Sequence, residues 1–530
     1  MNSRPCSDFP KTPEKVAEIR AEAAKGIERG DVRLVVEILE KLTAGDDTKD
    51  RRLVLELLRE LSARFPNQIP FRLEYAHQLQ LSGQGERARE VWVRLLEGDP
   101  ELVVARFNLA RSLAESGATE AAAVHYEILL RQDPHNNDAR YNLANLRQRQ
   151  GDFAAAVTLY QELLRSRPEW VEVWINLALA YKWLQRSHLA RACLEQALLI
   201  DPENVLAHWN LSLVLLQAGC WSIGWREFAW RLRRQQAFVP GLIATIPEWR
   251  GESLEGRRFL LWSEQGAGDA IQFVRYVGAL PEKPMETVIV CQSPLVRLLE
   301  HARGVDRVLS YSEPPPAADF QLSLLSLPER LGVQNVTPPV SSYIHLPDGI
   351  RRQYADSLGM IVAPAVALVW AGNPYHENDG NRSLSPELLV PLSELTGIHF
   401  YSLQKEIVPG ALPDWREQLP GVIDLAPRLD DFAATAVFLE RFDLLITVDT
   451  AIVHLAGSLG RPAWLLLPFI ADWRWQDTGE TSSWYSSLRL FRQPSPGDWD
   501  SVISEVRREL AARFPGRQVL PHMHKRSRSL

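Results

Sequence analysis

The stretch PHNNDARYNLANLRQRQGDFAAAVTLYQELLRSRP, Pro134 to Pro168, is one full period of the pattern that governs the first half of the chain. Proline recurs at Pro66, Pro100, Pro134, Pro168 and Pro202, always 34 residues apart. With each proline as position 32 of its unit, position 8 of the next holds Ala76, Ala110, Ala144, Ala178 and Ser212. Position 20 holds Ala88, Ala122, Ala156, Ala190 and Gly224. Small side chains at both positions let two helices approach closely, while position 24 is large and apolar: Trp92, Tyr126, Tyr160, Leu194 and Phe228. Position 15 is Gly83, Gly117, Gly151 and Gly219, with Gln185 the exception. Glycine there ends the first helix of each pair, because the left-handed cap conformation suits it best.

A 34-residue unit of two helices is the tetratricopeptide period. Residues 35–238 are therefore read as a tetratricopeptide α-solenoid, with 1–34 as an amino-terminal helical cap. Leu34, Ile38, Leu39 and Leu42, then Leu53, Leu55, Leu58 and Leu61, keep helical spacing without the signature, as a degenerate capping repeat does. Position 6 is a row of asparagines, Asn108, Asn142, Asn176 and Asn210, which helix geometry puts on the concave wall. Stacked amides there can hydrogen-bond an extended acceptor peptide without reading its sequence. Asparagine is also common at this position for structural reasons alone, so both readings stand.

Beyond residue 238 the period changes. A joint at 239–256 leads into short apolar runs that alternate with amphipathic helices, which predicts mostly parallel sheets. In a first lobe, 257–350, the expected strands are Phe259–Trp262, Thr287–Cys291, Val308–Tyr311 and Phe320–Leu322. In a second, 351–515, they are Val366–Trp370, His399–Leu403, Val422–Leu425, Leu444–Val448 and Ala463–Leu467. A basic tail, 516–530, closes the chain. Two such lobes hold ligands in the cleft between them, beyond the carboxyl ends of the strands.

Composition narrows the function. Of 530 residues 46% are hydrophobic and 24% charged, a globular balance, and the net charge of −7 gives no general attraction to nucleic acid. The four cysteines lack paired spacing, which argues against disulfides and thiolate zinc sites. Met1–Glu22 carries Pro, Asp, Glu and Lys where an export signal needs an apolar core, and no apolar run reaches the ~20 residues of a membrane span. A cytoplasmic chain with no membrane span and no nucleic-acid partner is expected.

Three polar stretches follow predicted strands. Glu264-Gln265-Gly266-Ala267-Gly268-Asp269 opens a helix; Gly266 and Gly268 admit a ligand to backbone amides, and Asp269 faces the cleft. Asp269 with Gln272 also reads as a capping box, a purely structural role. Asp449-Thr450-Ala451-Ile452-Val453-His454 feeds a second helix, whose free amides suit a diphosphate, with His454 one turn in. A packed structural histidine is the plainer alternative. The loop with Asn373 and Arg382 supplies amides and one fixed cation, and Gln404 and Lys405 close the next strand. No histidine cluster has metal spacing, and the lone DxD, Asp498-Trp499-Asp500, sits where it would cap the last helix. No metal and no cofactor is expected.

On these phrases the chain resembles bacterial glycosyltransferases related to the heptosyltransferases, in the variant with amino-terminal tetratricopeptide repeats. The resemblance spans about Pro247 to Glu509 and rests on EQGAGD with IQFVRY, VWAGNP, NRS, SLQK, VDTAIVHLAGSLGRP and DWRW. It implies a GT-B fold of two Rossmann-like lobes and metal-independent inversion at a nucleotide-sugar. Residue by residue, Asp269 matches the catalytic base, Asp449, Thr450 and His454 the donor-binding motif, and Arg382 stands where that family uses lysine. Ala451 replaces a frequent glycine. Repeats joined to such a domain are also similar in architecture to protein O-GlcNAc transferases, whose catalytic motifs do not align here. Transfer of a sugar to a protein or peptide is a hypothesis that this architecture suggests, and a glycan or lipid acceptor stays open. A scaffold that binds nucleotide-sugar without turnover, and a sugar-nucleotide epimerase, are the competing readings.

Overall fold

A computed structural model describes residues 13–29, 31–43, 48–234, 241, 243–405 and 414–515. The tail 516–530, Cys6 and part of the 239–256 joint lie outside the described residues. The chain divides into two compact units, one ending at Leu184 and the other beginning at Gln185. Among the described residues no helix is long and apolar enough to cross a membrane.

The first unit is helical. Helices Pro13–Arg29, Val32–Thr43 and Thr48–Arg64 share a core of Val35, Leu39, Leu42, Leu53, Leu57, Leu58 and Leu61. Val32–Thr43 runs across the 34/35 boundary read from sequence, because Val35, Ile38, Leu39 and Leu42 continue one apolar stripe. Helix pairs follow: Ile69–Leu81 with Gly85–Gly98, Val103–Glu115 with Thr119–Gln132, and Asn137–Arg149 with Phe153–Ser166, then Val171–Trp183. The small residues at positions 8 and 20 are fully buried, and Trp92, Tyr126 and Tyr160 fill the space between pairs. Gly83, Gly117 and Gly151 take φ of +74°, +85° and +82°, the left-handed turn that the spacing predicts.

The second unit opens with Gln185, which holds the same left-handed conformation (φ +54°) without being glycine. Such a conformation costs a side-chain-bearing residue about 1–2 kcal/mol. Its amide donates to the Phe469 carbonyl at 3.0 Å, a bond that glycine has no group to make. Helices Ser187–Ile200, Val205–Gln217 and Trp221–Phe228 complete the repeats. Trp225 of the last one packs within 6.0 Å of Phe273 and 5.7 Å of Trp473, side chains from the two sheet-bearing regions that follow.

The first sheet contains β1 (Arg258–Trp262), β2 (Glu286–Cys291), β3 (Arg307–Ser310) and β4 (Phe320–Ser323), in the order β3-β2-β1-β4. The second contains β5 (Ala365–Val369), β6 (His399–Ser402), β7 (Ile423–Asp424), β8 (Leu444–Val448), β9 (Ala463–Leu467) and β10 (Leu488–Arg492), in the order β10-β9-β8-β5-β6-β7. Among the described residues every pairing between these strands is parallel. Nine strands fall where alternation predicts them. The tenth, β10, escapes that reading because Arg489 and Arg492 interrupt its apolar run at half-buried edge positions. The strand order reverses direction at β1 in one sheet and between β5 and β8 in the other, and in open parallel sheets such points are where ligands bind. The polar stretches after β1, β5 and β8 therefore stand at the places the topology favours.

Helix Ala451–Ser458, after β8, presses Gly457 against the Tyr485 ring so closely that a Cβ there would lie 2.4 Å from ring carbons. Gly457→Ala is expected to destabilise the fold by about 1–3 kcal/mol through overpacking, read as a lowered thermal midpoint.

Candidate functional site

The loop after β1 is built on a buried ion pair. Glu264 accepts from Arg231 at 2.6 Å, with side-chain exposures of 8% and 3%, and Arg231 also donates to Ser326 at 2.7 Å. Glu264 is thus an anchor that ties the loop to the segment after the last repeat helix. Gln265 then turns through φ +63°, and Gly266, in extended conformation, precedes the helix Ala267–Phe273. Asp269 is the third residue of that helix; its Oδ2 accepts from the Gly266 amide at 3.0 Å. The capping box expected of Asp269 and Gln272 is corrected here: the helix starts two residues before Asp269, which reaches back to the cap, and Gln272 is engaged elsewhere.

Gly268 has a different task from exposing amides. A Cβ at Gly268 would lie 2.9 Å from His454 Cδ2 and 3.3 Å from Ala451 Cα, so the glycine lets the helix after β1 touch the helix after β8. Asp269 is thereby brought to the start of the Ala451–Ser458 helix, which Thr450 caps by accepting from the Ile452 amide at 3.3 Å. Alanine at 451 is accommodated in this contact.

Between them stands Arg474, from the Asp472–Trp475 segment after β9. Its guanidinium donates to Asp269 Oδ1, to Gln272 Oε1 at 2.7 Å and to Asp472 Oδ1 at 2.8 Å, and stacks on Trp473 at 4.3 Å. Burial works against this charge, but Asp472 and Asp269 together hold it firmly protonated. Burial raises the Asp269 carboxyl above its ordinary range and Asp472 adds to that, while Arg474 opposes it. Asp449 is pushed up to about 6, chiefly by burial and by the charge of Asp472. His454 is pushed down to about 3 by burial and then by Arg474. Its Nδ1 lies 3.2 Å from the Tyr485 hydroxyl and its ring stacks on Trp475 at 5.4 Å. The imidazole is neutral at physiological pH, so it offers a ligand a hydrogen-bonding edge and no positive charge.

The cation comes from the loop after β5. Arg382 donates to the Asp449 carbonyl at 3.0 Å and to Asp379 at 3.2 Å. Its guanidinium crosses over Gly372, where a Cβ would lie 2.7 Å from Nη2. Asn373 is exposed and closes a turn by accepting from the Tyr375 amide at 3.0 Å. Gln404 is buried, and its amide clips the end of β5 by accepting from Trp370 and Ala371 amides at 3.0 and 2.9 Å and donating to the Ala371 carbonyl at 3.1 Å. Lys405 donates to the Leu429 carbonyl at 2.5 Å. Both side chains hold backbone groups in this conformation. Asp498 caps the last helix by accepting from the Ser501 amide at 3.1 Å.

The asparagine row is occupied locally. Asn108 and Asn210 donate to carbonyls of their own helices, Val104 at 3.0 Å and Leu206 at 2.9 Å. Asn176 donates to Asn145 at 3.1 Å and to the Tyr141 hydroxyl at 3.2 Å; Asn142 is half-buried. Asn108, Asn142 and Asn176 belong to the first unit and Asn210 to the second.

Asp269, Gly268, Arg382, Asp449, Thr450, Ala451 and His454 thus converge. Arg474, Asp472, Trp475 and Tyr485 complete the cluster and were not singled out individually from sequence. The DWRW phrase contains three of them, but no spacing rule links it to a loop about 205 positions away.

Residues 113–180 and 147–212 match one family described as tetratricopeptide repeat, and residues 81–137 match another of the same description. Repeats of this kind form protein-interaction scaffolds. Protein FlbA of Caulobacter vibrioides is 24% identical over 337 residues, covering 58% of this chain and 55% of that protein. The chain therefore spans little more than half the length of that relative. Among solved structures, MamA from Desulfovibrio magneticus RS-1 (residues 41 to the end) is 16% identical, with a TM-score of 0.30, covering 32% of this chain and 96% of that one. YrrB, described as a TPR protein with an unusual peptide-binding site, is 15% identical with a TM-score of 0.31, covering 34% and 93%.

A histidine folded with its pKa lowered from 6.5 to about 3 makes stability fall with pH. Below about 6.5 the unfolded chain takes up a proton that the folded one refuses, a loss of about 2 kcal/mol by pH 5. Asp449 works the opposite way, its contribution present below 3.8 and lost as pH rises through about 6, and it cancels between two proteins that both contain it. Urea denaturation near pH 7.5 and pH 5 is expected to show the wild type losing about 2 kcal/mol more than His454→Gln.

Proposed function

We propose that the chain is a glycosyltransferase of GT-B type, moving a sugar from a nucleotide-sugar to an acceptor recruited by the tetratricopeptide repeats. The observation that carries this reading is the contact at Gly268, which brings the carboxylate of Asp269 to the capped start of the helix after β8. One carboxylate-bearing helix and one helix start able to receive an anion then lie against each other, each following a strand at the switch point of its own parallel sheet.

The chemistry follows from these groups. Asp269 takes the proton of an acceptor hydroxyl as its oxygen attacks the anomeric carbon; the bond from that carbon to the diphosphate oxygen breaks, and the nucleoside diphosphate leaves with the electron pair. The first amides of helix Ala451–Ser458 and the guanidinium of Arg382 meet the charge that develops on the leaving group. Arg474 pairs with Asp269 and keeps the carboxylate oriented. Neutral His454 supplies a hydrogen-bonding edge without competing for the base. The requirement for nucleotide-sugar fits the cytoplasmic location expected from composition.

A second reading is a repeat scaffold whose lobes bind nucleotide-sugar without turnover. It is favoured by the engagement of Asp269 with Arg474, which a reacting base has to loosen.

The test is donor hydrolysis across UDP-, GDP- and ADP-sugars. Asp269→Asn is expected to lower turnover by about 10²–10⁴-fold while leaving nucleotide affinity within a small factor. Binding that persists without any wild-type turnover supports the scaffold, and interconversion of free sugar-nucleotides supports an epimerase. Arg382→Ala is expected to weaken nucleoside diphosphate binding about tenfold or more, measured by calorimetry, because it removes a charge-assisted contact.

A further inference from the structure

A second cavity, of about 770 Å³, lies in the first lobe away from the cluster around Asp269. Its walls include Gly278, Ala279 and Pro281, just before β2, and Arg303, just before β3. Those are the amino ends of parallel strands, the opposite edge of the sheet from Asp269, which follows the carboxyl end of β1. It is therefore a different site from the one described above.

The lining is one-sided in charge. It contains Arg275, Arg303 and Arg330 and no Asp or Glu, in a chain whose net charge is −7. Arg330 is matched by Glu248 at 2.5 Å and Glu329 at 2.8 Å. Among the described residues Arg275 pairs with no carboxylate: it donates to the carbonyls of Thr337 at 2.7 Å and Trp484 at 3.1 Å and lies within 6 Å of the Tyr276, Tyr343 and Trp484 rings. Arg303 is exposed, and among the described residues its guanidinium has no ion-pair or hydrogen-bond partner. Its placement is enforced all the same. The Arg303 amide donates to the Tyr343 carbonyl at 2.9 Å, and its stem lies over Gly278, where a Cβ would sit 3.2 Å from Cγ and Cδ. Asn335 and Ser342 add neutral hydrogen-bonding groups to the same wall. Two helical runs end near this wall, Ala267–Phe273 continued by Val274–Ala279 and the single turn Val296–Leu299, and each carboxyl end brings at most about half a negative charge against the full charge of each arginine.

We infer that this cavity is a binding site for a phosphorylated small molecule, its phosphoryl group held by Arg303 with Arg275 behind it and its organic part against the aromatic wall. A volume in the range of about 300–1,000 Å³ takes a ligand of nucleotide size or smaller. Arginine forks and adjacent amide and hydroxyl groups match the acceptor oxygens of a phosphate ester. This assignment is independent of the activity proposed for the cleft.

The experiment is ³¹P NMR of inorganic phosphate in the presence of the full chain. The phosphate line is expected to broaden, and Arg303→Glu, an exposed change that leaves the fold intact, is expected to reduce the bound fraction about tenfold or more. Both proteins are compared in the Arg382→Ala background, which disarms the cleft, so that phosphate held there does not contribute. Broadening that survives Arg303→Glu in that background, or is absent before Arg303 is changed, would overturn the proposal. So would displacement of the phosphate by citrate far beyond the effect of chloride at equal ionic strength, which assigns the cavity to carboxylates.

Discussion

A buried guanidinium holds the centre of the second unit together. Arg474 is reached by Asp269 and Gln272 from the helix after β1 and by Asp472 from its own segment, so one cation spans elements about 205 positions apart in sequence. Removing one partner of such a group leaves the others charged and dry, at about 3–5 kcal/mol. Its neighbours carry the consequence: Asp449 and Asp269 rise and His454 falls, since none of them has enough water to hold its ordinary charge.

That arrangement is rigid because its supports are aromatic. Trp473 and Trp475 flank Arg474 in sequence; Trp473 packs on Trp225 and Phe228 of the last repeat helix, and Trp475 stacks on His454. Trp484 lies edge-on to Trp221, Trp225 and Trp473. Large rings with centroids 5.4–6.4 Å apart bury much apolar area with few rotatable bonds, so they position the charged groups at modest entropic cost. The repeats thus end in the same aromatic cluster that frames the cluster of charges, and Arg231 with Glu264 adds an ionic tie from that end to the loop bearing Asp269.

Glycine does much of the fine placement. Gly268 lets two helix starts meet, Gly372 lets Arg382 cross its loop, and Gly457 admits the Tyr485 ring that in turn meets His454. Each is a close approach in which a methyl group would collide, and none needs an unusual backbone angle. Sequence reading took Gly266 and Gly268 as openings for a ligand; contact shows Gly268 as an opening for another helix.

The sequence by itself determined the repeat register, from prolines, glycines and alanines spaced at 34 residues, and nine of ten strands, because these depend on local periodicity and on side-chain size at fixed intervals. It also located the three polar stretches after β1, β5 and β8, since a strand end feeding a helix is a local event. Only the tertiary structure decided which of those residues meet. Gln404 and Lys405 turned to backbone carbonyls and amides, Asp269 moved from cap to third helical position, and Arg474 became the hub, because long-range ion pairing depends on distances that no spacing rule encodes.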